Sequence, residues 1–218
     1  MLMERPQNKL RRAQLLYIVG CEGKNQETLY FDRIQELINS DEKRTFNILF
    51  DYAEPYGGNP RCVVERTVLK SIGKTNKLSV FDYDGKKKQY KEAIDMAYDN
   101  KIELGNTNYC FDLWLILHKS DYFGSVIHQD DYAEYLRTVY GLGKNKDIKK
   151  RENVESIMAQ ITIEDIKNAI RRAEIIDENN KKRTPHSTPK NHILYYDNPD
   201  TQIHKAIKNI LHKTGVLI

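Results

Sequence analysis

Three acidic residues directly follow β-rich segments of the chain. The segment YIVGCEG ends in Glu22 and Gly23, and the segment SVFDYDG carries Asp82 and Asp84. In an open α/β sheet the carboxyl ends of the parallel strands line the ligand crevice. We therefore expect the three carboxylates to meet at one rim of a sheet, although they are far apart in the sequence.

Such a group of carboxylates is typical of a divalent-cation site. Acidic side chains brought together repel one another unless a cation neutralises them, and Mg²⁺ prefers carboxylate oxygens. The pattern predicts a metal-dependent phosphate-ester enzyme that uses Mg²⁺ or Mn²⁺. We expect Asp82 and Asp84 to hold the metal, and Glu22 to be a general acid or base or a second-metal ligand. Gly23 would let a phosphate approach the backbone closely.

A run of three lysines, Lys86, Lys87 and Lys88, comes directly after the second acidic segment. At a metal rim these lysines would lie where the phosphates of a polyanion approach, so we predict that they bind substrate. The other basic clusters, among them residues 149–151, are interpreted as solvated surface. The net charge is only +4, which is lower than is usual for a domain that coats DNA.

The composition is that of an ordinary globular protein. The 218 residues are 39% hydrophobic and 30% charged, and no apolar stretch approaches the roughly 18 residues of a membrane span. Three cysteines without CxxC spacing (Cys21, Cys62 and Cys110) suit a reducing compartment and not a disulfide framework. We therefore expect a cytoplasmic protein that does not enter a membrane.

The first half alternates β-like and helix-like segments, which favours an α/β fold with a mostly parallel sheet and flanking helices. Predicted strands cover residues 15–19, 45–50, 77–82 and 101–104, and predicted helices cover residues 26–39, 60–72, 87–99 and 110–118. Asn59 and Pro60 have the residue types of a helix N-cap and a first helical position.

The character of the sequence changes after residue 122. Amphipathic patterns predict helices at 130–140, 163–176 and 201–213, with a loop at 183–192 and no convincing strand. Thr162 and Asp165 have the spacing of a capping box. We predict a catalytic α/β core over residues 1–122 and a helical elaboration, packed on that core, over residues 123–218.

These motifs resemble a known family. A strand that leads through Glu-Gly into a helix, with D-x-D after a later strand, is similar to a Toprim domain. Residues 21–31 resemble the block CEGxxTExxYF of RloB-like proteins, with glutamine in place of threonine. Residues 108–118 resemble their block NPCFELWLLLH, with Tyr109 for proline and Asp112 for glutamate. A late NPST block resembles residues 198–201.

The resemblance implies a Toprim-type nuclease that hydrolyses phosphodiester bonds of DNA or RNA, tRNA included. It also implies a role in bacterial anti-phage defence by abortive infection, with an ATPase partner encoded by a neighbouring gene. Glu27 and Asp112 occupy motif positions and are additional candidate site residues. His118, at the end of the second block, is either a phosphate contact or a structural histidine.

Two other functions compete with the nuclease. A haloacid-dehalogenase-like phosphatase has the motif D-x-D-G-T with a nucleophilic first aspartate. Lys86 stands in place of that threonine, and no GDxxxD-like segment follows. The other alternative is a non-catalytic regulatory or scaffold subunit of a defence complex, which keeps the sheet for partner binding.

Overall fold

A computed structural model of the chain describes residues 12–74, 76–83, 85, 87–124, 128–182, 186–194 and 199–216. Two of the predicted site residues, Asp84 and Lys86, lie outside the described residues.

The first part of the chain alternates strands and helices, as the sequence predicts. Its elements are β1 (Gln14–Cys21), α1 (Gln26–Ser40), β2 (Asn47–Tyr52), α2 (Pro60–Lys70), β3 (Asn76–Val80), α3 (Lys87–Asp99), β4 (Glu103–Leu104), β5 (Thr107–Asn108) and α4 (Asp112–Lys119). The predicted N-cap of α2 is confirmed, because the Asn59 side chain accepts a hydrogen bond from the backbone N–H of Cys62 at 3.1 Å. The apolar run that ends at His118 is helical, as predicted.

The second part is mainly helical. Its elements are α5 (Gln129–Val139), α6 (Arg151–Ala159), α7 (Ile163–Asn180), β6 (His186–Ser187), β7 (Ile193–Leu194), β8 (Asp200–Thr201) and α8 (Ile203–Thr214). The capping box of Thr162 and Asp165 is present at the start of α7. Gly215, with a φ of 76°, ends α8 in the left-handed conformation that glycine adopts without steric cost.

Two expectations for this part are wrong. Three strands of two residues occur where none was predicted, and β6 lies in the stretch interpreted as a loop. Helix α6 was also not predicted. Strands this short have no detectable alternation, since they form by pairing with a partner that is distant in sequence.

The four main strands form one parallel sheet in the order β2-β1-β3-β4. Strand β1 is central, with Tyr17 opposite Phe50 on β2 and Asn76 on β3. Helices flank this sheet, so the predicted α/β class is confirmed, and the arrangement agrees with the Toprim-like description.

The side chains of β1 alternate between the two faces of the sheet. Tyr17, Val19 and Cys21 belong to the hydrophobic cluster formed with α1, α4 and α8. On the other face α2 and α3 form a second cluster. Gly20 lies on this second face, where an added Cβ would come within 2.0 Å of Thr67 Oγ1. Helix α2 therefore packs directly on the central strand.

The second part of the chain packs on the first. Helix α7 contacts α4, and α6 contacts α1. Strand β8 pairs antiparallel with β5, with Thr201 opposite Thr107. The boundary predicted at residue 122 stays a prediction. No helix within the described ranges combines the length and the apolar character needed to cross a membrane.

Candidate active site

The carboxyl ends of β1 and β3 bring two of the predicted acids together. Glu22 follows the last residue of β1, and its backbone N–H donates to the carbonyl oxygen of Val80 at 3.1 Å. Its carboxylate oxygen Oε2 accepts the backbone N–H of Asp82 at 3.1 Å. The parallel register of adjacent strands β1 and β3 produces this contact between residues that are distant in sequence.

Asp82 is held in place by the segment that follows β4. It forms an isolated parallel bridge with Thr107, and the Thr107 hydroxyl donates to Asp82 Oδ1. The next N–H, that of Tyr83, donates to the carbonyl oxygen of Thr107 at 2.8 Å. Thr107 is fully buried, so the group that orients the Asp82 carboxylate lies in the interior of the protein.

Gly23 has a different role from the one that the sequence suggested. Its backbone N–H donates to Glu27 Oε1 at 3.0 Å. A Cβ at Gly23 would lie 2.2 Å from Glu27 Oε2, which is closer than atoms can approach. The space that was expected to admit a phosphate is filled by the Glu27 carboxylate, which clamps the turn between β1 and α1.

Asp112 joins the start of α4 to the start of α1. Its Oδ1 accepts a hydrogen bond from Gln26 Nε2 at 2.7 Å. Asp112 is only 2% exposed, so this bond satisfies a buried polar group. Gln26 was noticed in the sequence only as a departure from the family motif, and its role depends on a contact that the sequence does not reveal.

Burial dominates the electrostatics of Glu27 and Asp112. Desolvation raises the pKa of the Glu27 carboxyl, and the charge of Asp112 adds to the effect, whereas Lys149 opposes it. Desolvation also raises the pKa of Asp112, against the hydrogen bond from Gln26 and the charge of Lys149. Both acids therefore keep a proton to higher pH than exposed carboxyls do.

These groups line a cleft of about 330 Å³. Its lining consists of Glu22, Gly23, Lys24, Asn25, Gln26, Glu27, Asp82, Cys110, Asp112 and Lys149. Sequence reasoning missed Lys24, Asn25 and Lys149 as cleft residues. Lys149 belongs to a basic cluster that was interpreted as solvated surface, and no local pattern distinguishes it from the other clusters.

Three of the predicted substrate contacts lie away from the cleft. Lys87 and Lys88 are exposed at the start of α3 and are not part of the cleft lining. His118 is 1% exposed in the core. Its Nδ1 lies 2.8 Å from the carbonyl oxygen of Trp114, and its Nε2 lies 3.1 Å from the Tyr30 hydroxyl. Burial lowers the pKa of His118 to about 4, so the ring is neutral, which favours the structural role over a phosphate contact.

The carboxylate oxygens at the strand ends suit a hard cation, but the described residues do not form a complete metal site. Among the residues that the structure describes, no three His, Cys, Asp or Glu side chains are arranged to hold a metal ion. Glu22 and Asp82 offer carboxylate oxygens, which are the ligands that Mg²⁺ and Mn²⁺ prefer. The third predicted acid, Asp84, lies outside the described residues.

The fold and the cleft define an α/β protein with an acidic site at the carboxyl ends of a parallel sheet. The family profile described as RloB-like protein matches residues 17–210, which is most of the chain. The chain therefore belongs to the RloB-like family. Neither the curated proteins nor the solved structures contain a significant match to it.

Proposed function

We propose that this RloB-like protein is a divalent-metal-dependent nuclease that hydrolyses phosphodiester bonds of DNA or RNA. The observation that carries the proposal is the hydrogen bond between Glu22 and Asp82 across the ends of β1 and β3. It joins two acids at the edge of the sheet where α/β proteins bind their ligands. The resemblance of the same segments to a Toprim domain supports this reaction.

Glu22, Asp82 and Asp84 are the residues that would hold Mg²⁺ or Mn²⁺. The bound ion would supply charge stabilisation at the phosphate oxygens and lower the pKa of a coordinated water. Thr107 keeps the Asp82 carboxylate oriented, and the hydrogen bond to the Asp82 N–H fixes Glu22 beside it. Glu22 is also the candidate for proton transfer at the attacking or leaving oxygen.

We assign Glu27 and Asp112 positioning roles. Glu27 holds the backbone directly after Glu22 through its bond to Gly23, and Asp112 holds Gln26 at the start of α1. Because both acids are buried, their contacts keep the turn that carries Glu22 in one conformation. Loss of either contact would disturb the carboxylates at the strand ends.

The proposal includes a biological setting that rests on the family resemblance alone. We propose that the nuclease acts in bacterial anti-phage defence together with an ATPase encoded by a neighbouring gene. The sequence has no P-loop, since the glycine that should precede Gly73-Lys74-Thr75 by five residues is Val68. An ATP-dependent step that uses a P-loop would therefore be carried out by the partner protein.

A cleavage assay tests the proposal. Labelled single- and double-stranded DNA, RNA and tRNA are incubated with the protein, alone and with its ATPase partner, in Mg²⁺, Mn²⁺ or EDTA. We compare Glu22→Gln with Glu178→Gln, an exposed glutamate on α7. Cleavage should require metal and fall by about 10²- to 10³-fold in Glu22→Gln only, because an electrostatic group of the transition state is lost.

Melting temperatures of the two variants establish that both are folded. A Glu22→Gln protein that cleaves at the wild-type rate would exclude the assigned site. If the wild-type protein and its partner cleave nothing in either metal, the alternative of a non-catalytic scaffold subunit is favoured.

A further inference from the structure

Residues 141–150, which we call the basic loop, connect α5 to α6. The loop reads GLGKNKDIKK and contains four lysines and one aspartate. All four lysines are exposed. The loop belongs to the part of the chain that was predicted to be a helical elaboration, so it was not expected near the acidic cleft.

Two contacts hold the loop against the cleft. Ile148 is 4% exposed and packs in the main hydrophobic cluster, and this contact anchors the loop to the protein core. The Asn25 side chain donates from Nδ2 to the carbonyl oxygen of Lys149 at 3.2 Å. Asn25 belongs to the turn that follows Glu22 and Gly23. The backbone of Lys149 is therefore fixed to the same turn as the catalytic candidate Glu22.

The Lys149 side chain acts on the cleft as well. It is part of the cleft lining, together with Lys24 from the turn after β1. Its positive charge lowers the pKa values of Glu27 and Asp112, against the larger effect of burial. The cleft thus combines carboxylates at the strand ends with ammonium groups from two different loops.

We propose that the basic loop is the phosphate-binding wall of the cleft. Lys149, with Lys24, contacts backbone phosphates of a nucleic acid next to Glu22 and Asp82, and the outer lysines of the loop extend this contact along the strand. The partner is recognised by its phosphodiester backbone, and such contacts orient a nucleic acid without reading its sequence. The inference rests on the proposed function, because it names the substrate contacts of the same cleft.

The position of the loop distinguishes it from the other basic segments. Of the three lysines predicted from sequence as phosphate contacts, Lys86 lies outside the described residues, and Lys87 and Lys88 do not line the cleft. Lys88 Nζ lies 4.0 Å from Glu92 Oε1. Among the described residues, the lysines that line the cleft beside its carboxylates are Lys149 and Lys24. The choice of loop therefore follows from the observed cleft lining and not from charge alone.

Binding without cleavage tests the loop. We would measure fluorescence anisotropy of labelled single-stranded and duplex oligonucleotides, DNA and RNA of one sequence, in EDTA between about 0.05 and 0.3 M salt. The variants are Lys149→Gln and Lys149→Glu, whose backbone bond to Asn25 is retained. The matched control is Lys43→Glu, an exposed lysine beyond the C-terminal end of the 15-residue helix α1. At about 1.5 Å per residue, that end of the helix lies about 22 Å from its start.

Loss of one phosphate contact has a defined signature. The slope of log Kd against log salt should fall by about 0.7 for single strands and 0.9 for duplexes, equivalent to about five- to eightfold weaker binding at 0.1 M salt. We expect this for Lys149→Gln, a larger loss for Lys149→Glu, and less than about a twofold change for Lys43→Glu. A preference for RNA or for DNA would identify which backbone the cleft accepts.

The inference is overturned if the Lys149 variants bind as tightly as wild type with the same salt slope, or if wild-type protein binds no oligonucleotide. Its failure is separable from that of the nuclease. Metal-dependent cleavage that needs Glu22, combined with normal binding by the Lys149 variants, would support the proposed nuclease and contradict the phosphate-binding role of the basic loop. Weaker binding by Lys149→Glu, with no cleavage in any metal, would support the phosphate-binding role of the basic loop and contradict the proposed nuclease.

Discussion

Two regions of the molecule place buried acids beside a cavity, and only one of them has the features of an active site. The first is the cleft of about 330 Å³ at the ends of β1 and β3. The second is a groove of about 610 Å³ along β4, with walls from α3, α7 and α8. Burial raises the pKa of Glu27 and Asp112 in the cleft, and it raises the pKa of Asp200 in the groove to about 8.

The groove acids are bound by side chains of their own region. Asp200 Oδ1 accepts hydrogen bonds from Gln202 Nε2 at 2.8 Å and from Asn180 Nδ2 at 3.4 Å. Neighbouring Asp177 forms ion pairs with Lys181 at 2.9 Å and with Lys205 at 3.3 Å. This network links β8 to α7 and α8, so it stabilises the packing of the second part of the chain.

The cleft acids are arranged by the sheet instead. Glu22 and Asp82 lie one and two residues beyond the ends of the neighbouring parallel strands β1 and β3. The Asp82 backbone N–H donates to the Glu22 carboxylate and holds it beside Asp82. A buried acid and a large cavity occur in both regions, so neither property identifies the site. The distinguishing property is the position at the carboxyl ends of the strands, where ligands bind in α/β proteins.

The largest difference that we expect between the regions is in metal-dependent stability. At Mg²⁺ concentrations about a hundredfold above the Kd, binding should stabilise wild-type protein by about 2.7 kcal/mol. For a chain of this size that raises the Tm by roughly 5–10 °C. Asp82→Asn should lose most of this increase, although the new amide oxygen can still accept the Thr107 hydroxyl. Asp200→Asn should keep all of it.

Thermal unfolding in EDTA and in Mg²⁺ measures this difference. Equal Mg²⁺-induced increases in the Tm of the Asp82 and Asp200 variants would contradict the assignment of the metal site to the cleft.

The parts of the fold that depend on local sequence could be predicted. Helix α3 follows from its apolar spacing, and the caps at Asn59 and Thr162 follow from residue types next to helix starts. The acids Glu22 and Asp82 were predicted as neighbours because parallel topology determines where strands end. Alternation and capping are properties of short segments, so they are readable in a single sequence.

The parts that depend on distant contacts could not be predicted. Strand β5 consists of two residues, and it exists because Thr107 and Asn108 pair with β8 more than ninety residues later. Lys149 reaches the cleft through Asn25, across 124 positions of sequence. Neither contact leaves a periodic pattern, since each depends on how the second part of the chain packs. The same holds for the clamp between Gly23 and Glu27, whose spacing alone does not define a side-chain direction.

The second prediction concerns the contact between Gly23 and the Glu27 carboxylate. Gly23→Ala should destabilise the protein by about 2 kcal/mol, because its Cβ would lie 2.2 Å from Glu27 Oε2 and would displace this buried carboxylate from its hydrogen bond with the Gly23 N–H. Gly143→Ala in the basic loop is the matched control. Its added Cβ would meet nothing closer than Lys146 Cγ at 3.7 Å, so we expect no loss of stability. Urea unfolding curves measure both effects.

A double-mutant cycle separates the clash from a general effect of alanine. In a Glu27→Ala background the Gly23→Ala change should cost less, since the obstructing carboxylate is absent. An undiminished cost in that background would assign the strain to another contact and would remove Glu27 from its positioning role.

The smallest expected effect belongs to the groove. An aspartate carboxyl has an ordinary pKa of 3.8, and burial raises that of Asp200 to about 8, with the charge of Asp177 adding to the effect. The folded state therefore holds the proton more tightly than the unfolded state does. The stability that Asp200 contributes is fully present below about pH 4 and is lost as the pH rises through about 8.

Asp200→Asn should remove this loss, because an amide does not ionise and its oxygen can still accept from Gln202. The free energy of unfolding of the variant, relative to wild type, should rise between pH 7 and pH 9 by about 1.4 kcal/mol, the equivalent of the one pH unit between 7 and the folded-state pKa of about 8. Acids with lowered pKa values, such as Asp177, change stability in the opposite direction, but they are present in both proteins and cancel in the difference. Urea unfolding of both proteins at pH 7, 8 and 9 measures the effect. Free energies of unfolding that differ by the same amount at each pH would show that Asp200 is charged in the folded protein.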